Sequence, residues 1–171
     1  MINEKMEKAF NSQINKEFYS AYLYLSMSAY MQSVGLSGFS GWLRIQAQEE
    51  IFHATTMFDY VLERGGNIKL EAVDTPAHSW INVLHVFEEI LTHEQYVTEL
   101  INELADVADE VKDRASLAFL QWFINEQVEE EATVTDIVAK LKLKLINLNG
   151  DALFTMDKDM SARVFIAPVI K

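Results

Sequence analysis

Apolar residues recur at spacings of three and four along most of the chain, the period of an amphipathic helix rather than the alternation of a strand. Four long stripes can be read this way. The first holds Phe10, Ile14, Glu17, Ala21, Tyr24 and Ser28; the second Phe39, Leu43, Gln46, Glu50, His53, Met57 and Tyr60. The third holds Leu84, Phe87, Leu91, Glu94, Thr98 and Ile101; the fourth Phe119, Phe123, Gln127, Glu130, Val134 and Ile137. Glycine and proline punctuate them. The pattern predicts a helix from about Glu4 to Val34 and another from Gly38 to Arg64, with Ser37 as N-cap and Gly65 as C-terminal stop. From Ala77 to Asn149 there is neither glycine nor proline. Charge and capping divide this stretch, with a third helix ending near Asp109 and a fourth opening after Asp113. A short fifth helix follows Gly150, with Asp151 near its start and Leu153, Met156 and Met160 at helical spacing; it is expected as an appendage to the main four.

Each long helix has about 30 residues and so spans roughly 45 Å. The segment from Gly66 to Ser79 carries no helical pattern, and that many extended residues reach about 46 to 50 Å. It is long enough to return the chain from one end of a helix to the other. The second and third helices should therefore run parallel, while short turns join helices one and two, and three and four, as antiparallel pairs. The fold expected is all-α: a four-helix bundle with one long crossover connection and a short fifth C-terminal helix, in a single domain over residues 1–171.

All four stripes are interrupted by polar residues near mid-length: Glu17; Glu50 with His53; Glu94; Gln127 with Glu130. A carboxylate inside an apolar bundle costs several kcal/mol unless it is paired or coordinated, and several together repel. No lysine or arginine lies on these stripes to compensate. Glu50 and His53, three apart, point the same way and can grip one ion. Glu17, Glu50, Glu94 and Glu130 bring four negative charges, which two ferrous ions balance. Tyr24, seven residues after Glu17, faces the same level, either as a core tyrosine or as an electron donor. Glu49, Glu126 and Glu129, with Glu130 shared, form either a solvated charge run or a third, looser metal site.

Composition narrows the chemistry. With 14 basic against 26 acidic residues the formal charge is −12, which disfavours nucleic acid and anionic membrane and favours cations. The absence of cysteine excludes disulfides, iron–sulfur clusters and thiolate zinc. Carboxylate, imidazole and amide ligands suit iron or manganese. No run of about 18 uncharged apolar residues could span a bilayer, and the charged start, with no signal-peptide pattern, leads to the expectation of a cytoplasmic protein.

The Ala47-Gln48-Glu49-Glu50 lead into His53, the Phe119-Leu120-Gln121-Trp122 block and the run Glu126-Gln127-Val128-Glu129-Glu130-Glu131 resemble the ferritin family, in particular the bacterial non-haem ferritins, over essentially the whole chain. The resemblance implies an iron-storage protein with ferroxidase activity, which oxidises Fe(II) with dioxygen or hydrogen peroxide and keeps ferric oxyhydroxide inside a hollow homo-oligomeric shell of 24 subunits. It implies that Glu17, Glu50 and His53 hold one iron and Glu50, Glu94 and Gln127 a second, with Glu50 bridging and Glu130 near the second and third sites.

There are departures. Helix four offers Gln127 where the general di-iron pattern has a Glu-x-x-His pair, so the second site lacks histidine and should bind more weakly. Ile51 stands where haem-bearing bacterioferritins place methionine, which argues against haem. A di-iron oxidase of an organic substrate and a passive metal-binding bundle are the alternative readings.

Overall fold

The computed structural model describes residues 1–146 and 150–168, without the side chains of residues 144–146. Five helices follow one another: α1 (Glu4–Ser33), α2 (Ser37–Glu63), α3 (Val83–Glu110), α4 (Arg114–Ile146) and α5 (Gly150–Met160). Their boundaries have local causes. The side chain of Asn3 accepts from Lys5 N and that of Asn82 from His85 N, each satisfying an otherwise orphaned amide at the start of α1 and α3. Asp113 accepts from Ser116 N at 3.1 Å, so the sequence signal that opened helix four after Asp113 is a working cap. Gly35 (φ 83°) and Gly65 (φ 70°) take the left-handed conformation just beyond the ends of α1 and α2.

The start of α2 corrects the expectation from sequence. Ser37 lies inside the helix; the N-cap is Leu36, which has no side-chain acceptor. The cap comes from elsewhere in the chain. Asp157 on α5 accepts from Phe39 N at 2.9 Å. A Cβ on Gly38 would fall 1.6 Å from the carbonyl oxygen of Asp157, so only glycine permits this approach. Nor is α5 a mere appendage, because Met156 is buried in the main core and Leu153 and Met160 pack against it.

The hydrophobic interior falls into two clusters. One gathers Leu23–Met31 side chains of α1, Phe39–Ala47 of α2, Val83–Ile90 of α3 and Val134–Leu141 of α4. The other gathers Met6–Ile14 of α1, Ala54–Val61 of α2, Val97–Ala108 of α3, and Leu120 and Phe123 of α4. The order in which each helix meets them fixes its direction: α2 and α3 both run from the first cluster to the second, α1 and α4 the other way. The parallel α2–α3 relation follows. Its crossover runs alongside α1, with Asn11 donating to Asn67 O, Asn15 to Ala72 O and Ser26 to Ala77 O. Among the described residues no helix is long and apolar enough to cross a membrane.

Candidate metal centre

Between the two hydrophobic clusters each of the four long helices contributes polar side chains at the same level: Glu17 from α1, Glu50 and His53 from α2, Glu94 from α3, Gln127 and Glu130 from α4. All six are buried, Glu17 and Glu94 to 1% exposure. The layer foreseen from the interrupted stripes is therefore a physical layer, with hydrocarbon above and below it.

Glu17, Glu50 and His53 each offer one ligand atom within 4.8 Å of the others. His53 Nδ1 stands 3.4 Å from Glu50 Oε2 and 3.9 Å from Glu17 Oε2. Glu17 Oε1 accepts from Gln13 Nε2 at 2.7 Å, whereas Glu17 Oε2 is buried without a hydrogen-bond partner. Oxygen and nitrogen ligands lie about 2.0–2.2 Å from a first-row divalent ion, so two of them on one ion stand roughly 3–4 Å apart. The donor set and its spacing fit such an ion, and an ion would satisfy the orphaned oxygen.

The α3–α4 side is tied together differently. Tyr24 OH donates to Glu94 Oε1, Gln127 Nε2 donates to Glu94 Oε2 at 3.2 Å, and Gln46 Nε2 donates to Glu130 Oε2 at 2.9 Å. Thr98 Oγ1 lies 3.4 Å from Gln127 Nε2 and donates to Glu131.

The electrostatics show the strain of this layer. Burial, and then the negative charge of Glu50, pushes Glu17 up to about 8. Burial, then Glu130, raises Glu94 to about 7. Burial followed by Glu94 holds Glu50 well above the ordinary carboxylate range, and burial followed by Glu94 raises Tyr24 well above that of a phenol. Such carboxyls hold protons near neutrality until a cation replaces them.

The outer acidic set is only partly gathered. Glu49 is half-buried and is raised to about 7 by burial, against the pull of the Arg163 charge. Glu126 is also raised, chiefly by burial. Glu129 is exposed. Four further residues touch this layer, and of these the sequence showed only Gln46, as a polar position on the second stripe. Gln13 and Gln46 lie one turn before Glu17 and Glu50, a spacing that could have flagged Gln13 as well. His93, next to Glu94, meets Ser20 Oγ through Nε2 at 2.8 Å and stands edge-on to Tyr24; burial lowers it to about 4, leaving it neutral. Arg163 lies beyond α5, and no local pattern points to it. A cleft of about 330 Å³ lies outside His93 and Ser20, but none of the buried carboxylates lines it.

A crossover four-helix bundle with a carboxylate and histidine layer at mid-height is the ferritin-like class of fold. The comparisons agree. Residues 7–144 match the family described as Ferritin-like domain. A bacterial non-heme ferritin of Bacteroides fragilis is 44% identical over 164 residues, covering 95% of this chain and all of that protein. A probable bacterial non-heme ferritin-like protein of Haemophilus influenzae is 38% identical over 94% of this chain and 96% of its own length. Among solved structures, an engineered closed form of the Archaeoglobus fulgidus ferritin is 52% identical with a TM-score of 0.93, covering 97% of this chain and all of that one. The open-pore ferritin of the same archaeon is 53% identical with a TM-score of 0.91, over 95% and 98% of the two chains. The chain belongs to the ferritin family, whose function is iron storage.

Proposed function

We propose that this protein is a ferroxidase that oxidises Fe(II) at a pair of sites inside each subunit and stores the ferric oxyhydroxide in a hollow shell built from copies of itself, 24 as in the family it resembles. Glu17, Glu50 and His53 take the first ferrous ion. Glu50, Glu94 and the amide oxygen of Gln127 take the second, with Glu50 bridging and Glu130 alongside. Glu49, Glu126 and Glu129, with Glu130, form a looser third site that receives iron on its way out.

The observation that carries this reading is the buried Glu17 Oε2, without a hydrogen-bond partner, facing His53 Nδ1 and near Glu50, in a layer to which the described residues bring no buried lysine or arginine. Two ferrous ions neutralise the four inner carboxylates, displacing their protons. Each iron then gives up one electron, and the pair together reduces dioxygen with two protons to hydrogen peroxide, or hydrogen peroxide with two protons to water. The two added positive charges exceed what the four carboxylates offset. The ferric product must then take up hydroxide or leave, which suits a site that feeds a growing mineral. Full reduction of dioxygen to water takes four electrons and four protons: the inner irons give two electrons, an iron at the third site a third, and Tyr24, which donates to Glu94, the fourth as its phenol loses an electron and a proton.

Aerobic loading with Fe(II) tests this. The native particle should gain mass and carry an amber mineral through size exclusion, with a fast oxidation phase that Glu50→Ala and His53→Ala abolish. Iron binding without accelerated oxidation would favour a passive bundle, and steady turnover of an organic compound without mineral would favour an oxidase.

A further inference from the structure

The segment after α5 folds back over α2, and its Arg163 reaches the edge of the metal centre. Its guanidinium donates to Glu49 Oε2 at 2.6 Å and to Gln46 Oε1, and it lies over the Trp42 ring at 4.7 Å from the centroid, within cation–π range. Gln46 is fully buried, and its Nε2 donates to Glu130 Oε2. One amide therefore links Arg163 to an inner carboxylate. Two residues on, Phe165 packs edge-on against Phe52, anchoring the segment beside His53.

A guanidinium keeps its charge at any relevant pH, so this contact is a permanent cation rather than a proton switch. Glu49 cannot serve Arg163 and a metal ion equally. A divalent cation on Glu49 would also stand close to the guanidinium and repel it. The third site named above is thus already claimed by a tethered positive charge.

We propose that Arg163 is a displaceable counter-cation for the outer carboxylate set: it neutralises Glu49 until a divalent cation arrives there, and that arrival frees the segment 161–168 from α2. This rests on the proposed reading of Glu49, Glu126 and Glu129, with Glu130, as a third metal site. Arg163 acts as a positioning residue. It keeps the third site weak, so that iron passes through rather than lodges, and it couples occupancy to release of the C-terminal segment.

The test uses the assembled, iron-free protein and Zn(II), which does not change oxidation state. Calorimetric titration of the wild type should resolve a tight class, lost in Glu50→Ala, and a weaker class, lost in Glu49→Gln. Arg163→Gln should tighten the weaker class on the order of five- to tenfold, the effect of removing one partly exposed competing charge, while leaving the tight class unchanged. Arg163→Lys, which keeps the charge but loses the two-acceptor fork and the guanidinium face over Trp42, should fall between the wild type and Arg163→Gln. Hydrogen exchange read by mass spectrometry should show residues 161–168 exchanging faster once the weaker class fills, and no such change in Glu49→Gln. An unchanged or weakened outer class in Arg163→Gln, or a segment equally protected with and without Zn(II), overturns the inference while leaving the inner pair intact. Absence of the tight class in the wild type would instead overturn the reading of the centre itself.

Discussion

Gln13 and Glu17 stand one turn apart on α1, and the 2.7 Å bond between them uses only one of the two carboxylate oxygens; the other faces His53 with no proton donor to meet it. Removing the charge while keeping the shape should therefore separate stability from function. Glu17→Gln is expected to raise the stability of the metal-free protein at pH 8 by on the order of 1–3 kcal/mol, as replacing poorly compensated buried charge does. It should weaken Zn(II) or Fe(II) binding by at least about a hundredfold, since even outer partners of a ligand are worth up to that factor. Chemical denaturation without metal, set beside a metal titration, reads both effects.

The same strain sets a pH dependence. Glu17, Glu94 and Glu49 are raised from 4.5 to about 8, 7 and 7, and Glu50 is raised as well. Raised carboxyls make the folded state bind more protons than the unfolded one between pH 4.5 and about 8, so the stability of the metal-free protein falls as pH rises through that window. His93, lowered from 6.5 to about 4, works in the opposite direction below pH 6.5, but as one group against several. The melting temperature of the metal-free protein should rise as pH is lowered from 8 towards 6. With saturating Zn(II) the trend should reverse, because protons then compete with the ion.

Tyr24 donates to Glu94 and stacks edge-on with His93, so its ring touches the centre from the α1 side. Tyr24→Phe preserves the packing and removes both the donor and the oxidisable phenol. Fe(II) binding is expected to weaken by about ten- to a hundredfold, the worth of one hydrogen bond to a charged group. Any tyrosyl radical seen by electron paramagnetic resonance during iron oxidation should disappear.

Docking of α5 depends on Gly38 as much as on the cap that Asp157 provides. Gly38→Ala would drive a methyl group into the Asp157 backbone and should cost about 1–3 kcal/mol, as overpacking does. Asp157→Ala, which removes only the acceptor for Phe39 N, should cost about 1 kcal/mol. Both should raise hydrogen exchange in α5 well before the four-helix bundle opens.

How much of this was legible in the sequence follows from the range of the interactions involved. Helix existence and the level of the polar layer are written in periodicities within single helices, the crossover in the length of the patternless segment from Gly66 to Ser79, and Asp113 announces its own cap. Ser37 misled because a good capping residue was assumed to cap, when the amide of Phe39 is met by Asp157 from a distant helix. Arg163 was invisible for the same reason: it reaches Glu49 across the fold from a segment with no pattern of its own. The buried polar layer was legible because burying charge on a helix leaves a local signature, whereas a tertiary counter-charge leaves none.

Whether the buried carboxylates hold a pair of irons is decided by anomalous diffraction at the iron edge from crystals soaked anaerobically in Fe(II). Two peaks per subunit are expected, one bounded by Glu17, Glu50 and His53 and the other by Glu50, Glu94 and Gln127. Iron found only on exposed surface carboxylates, with no density between the two hydrophobic clusters, would contradict it.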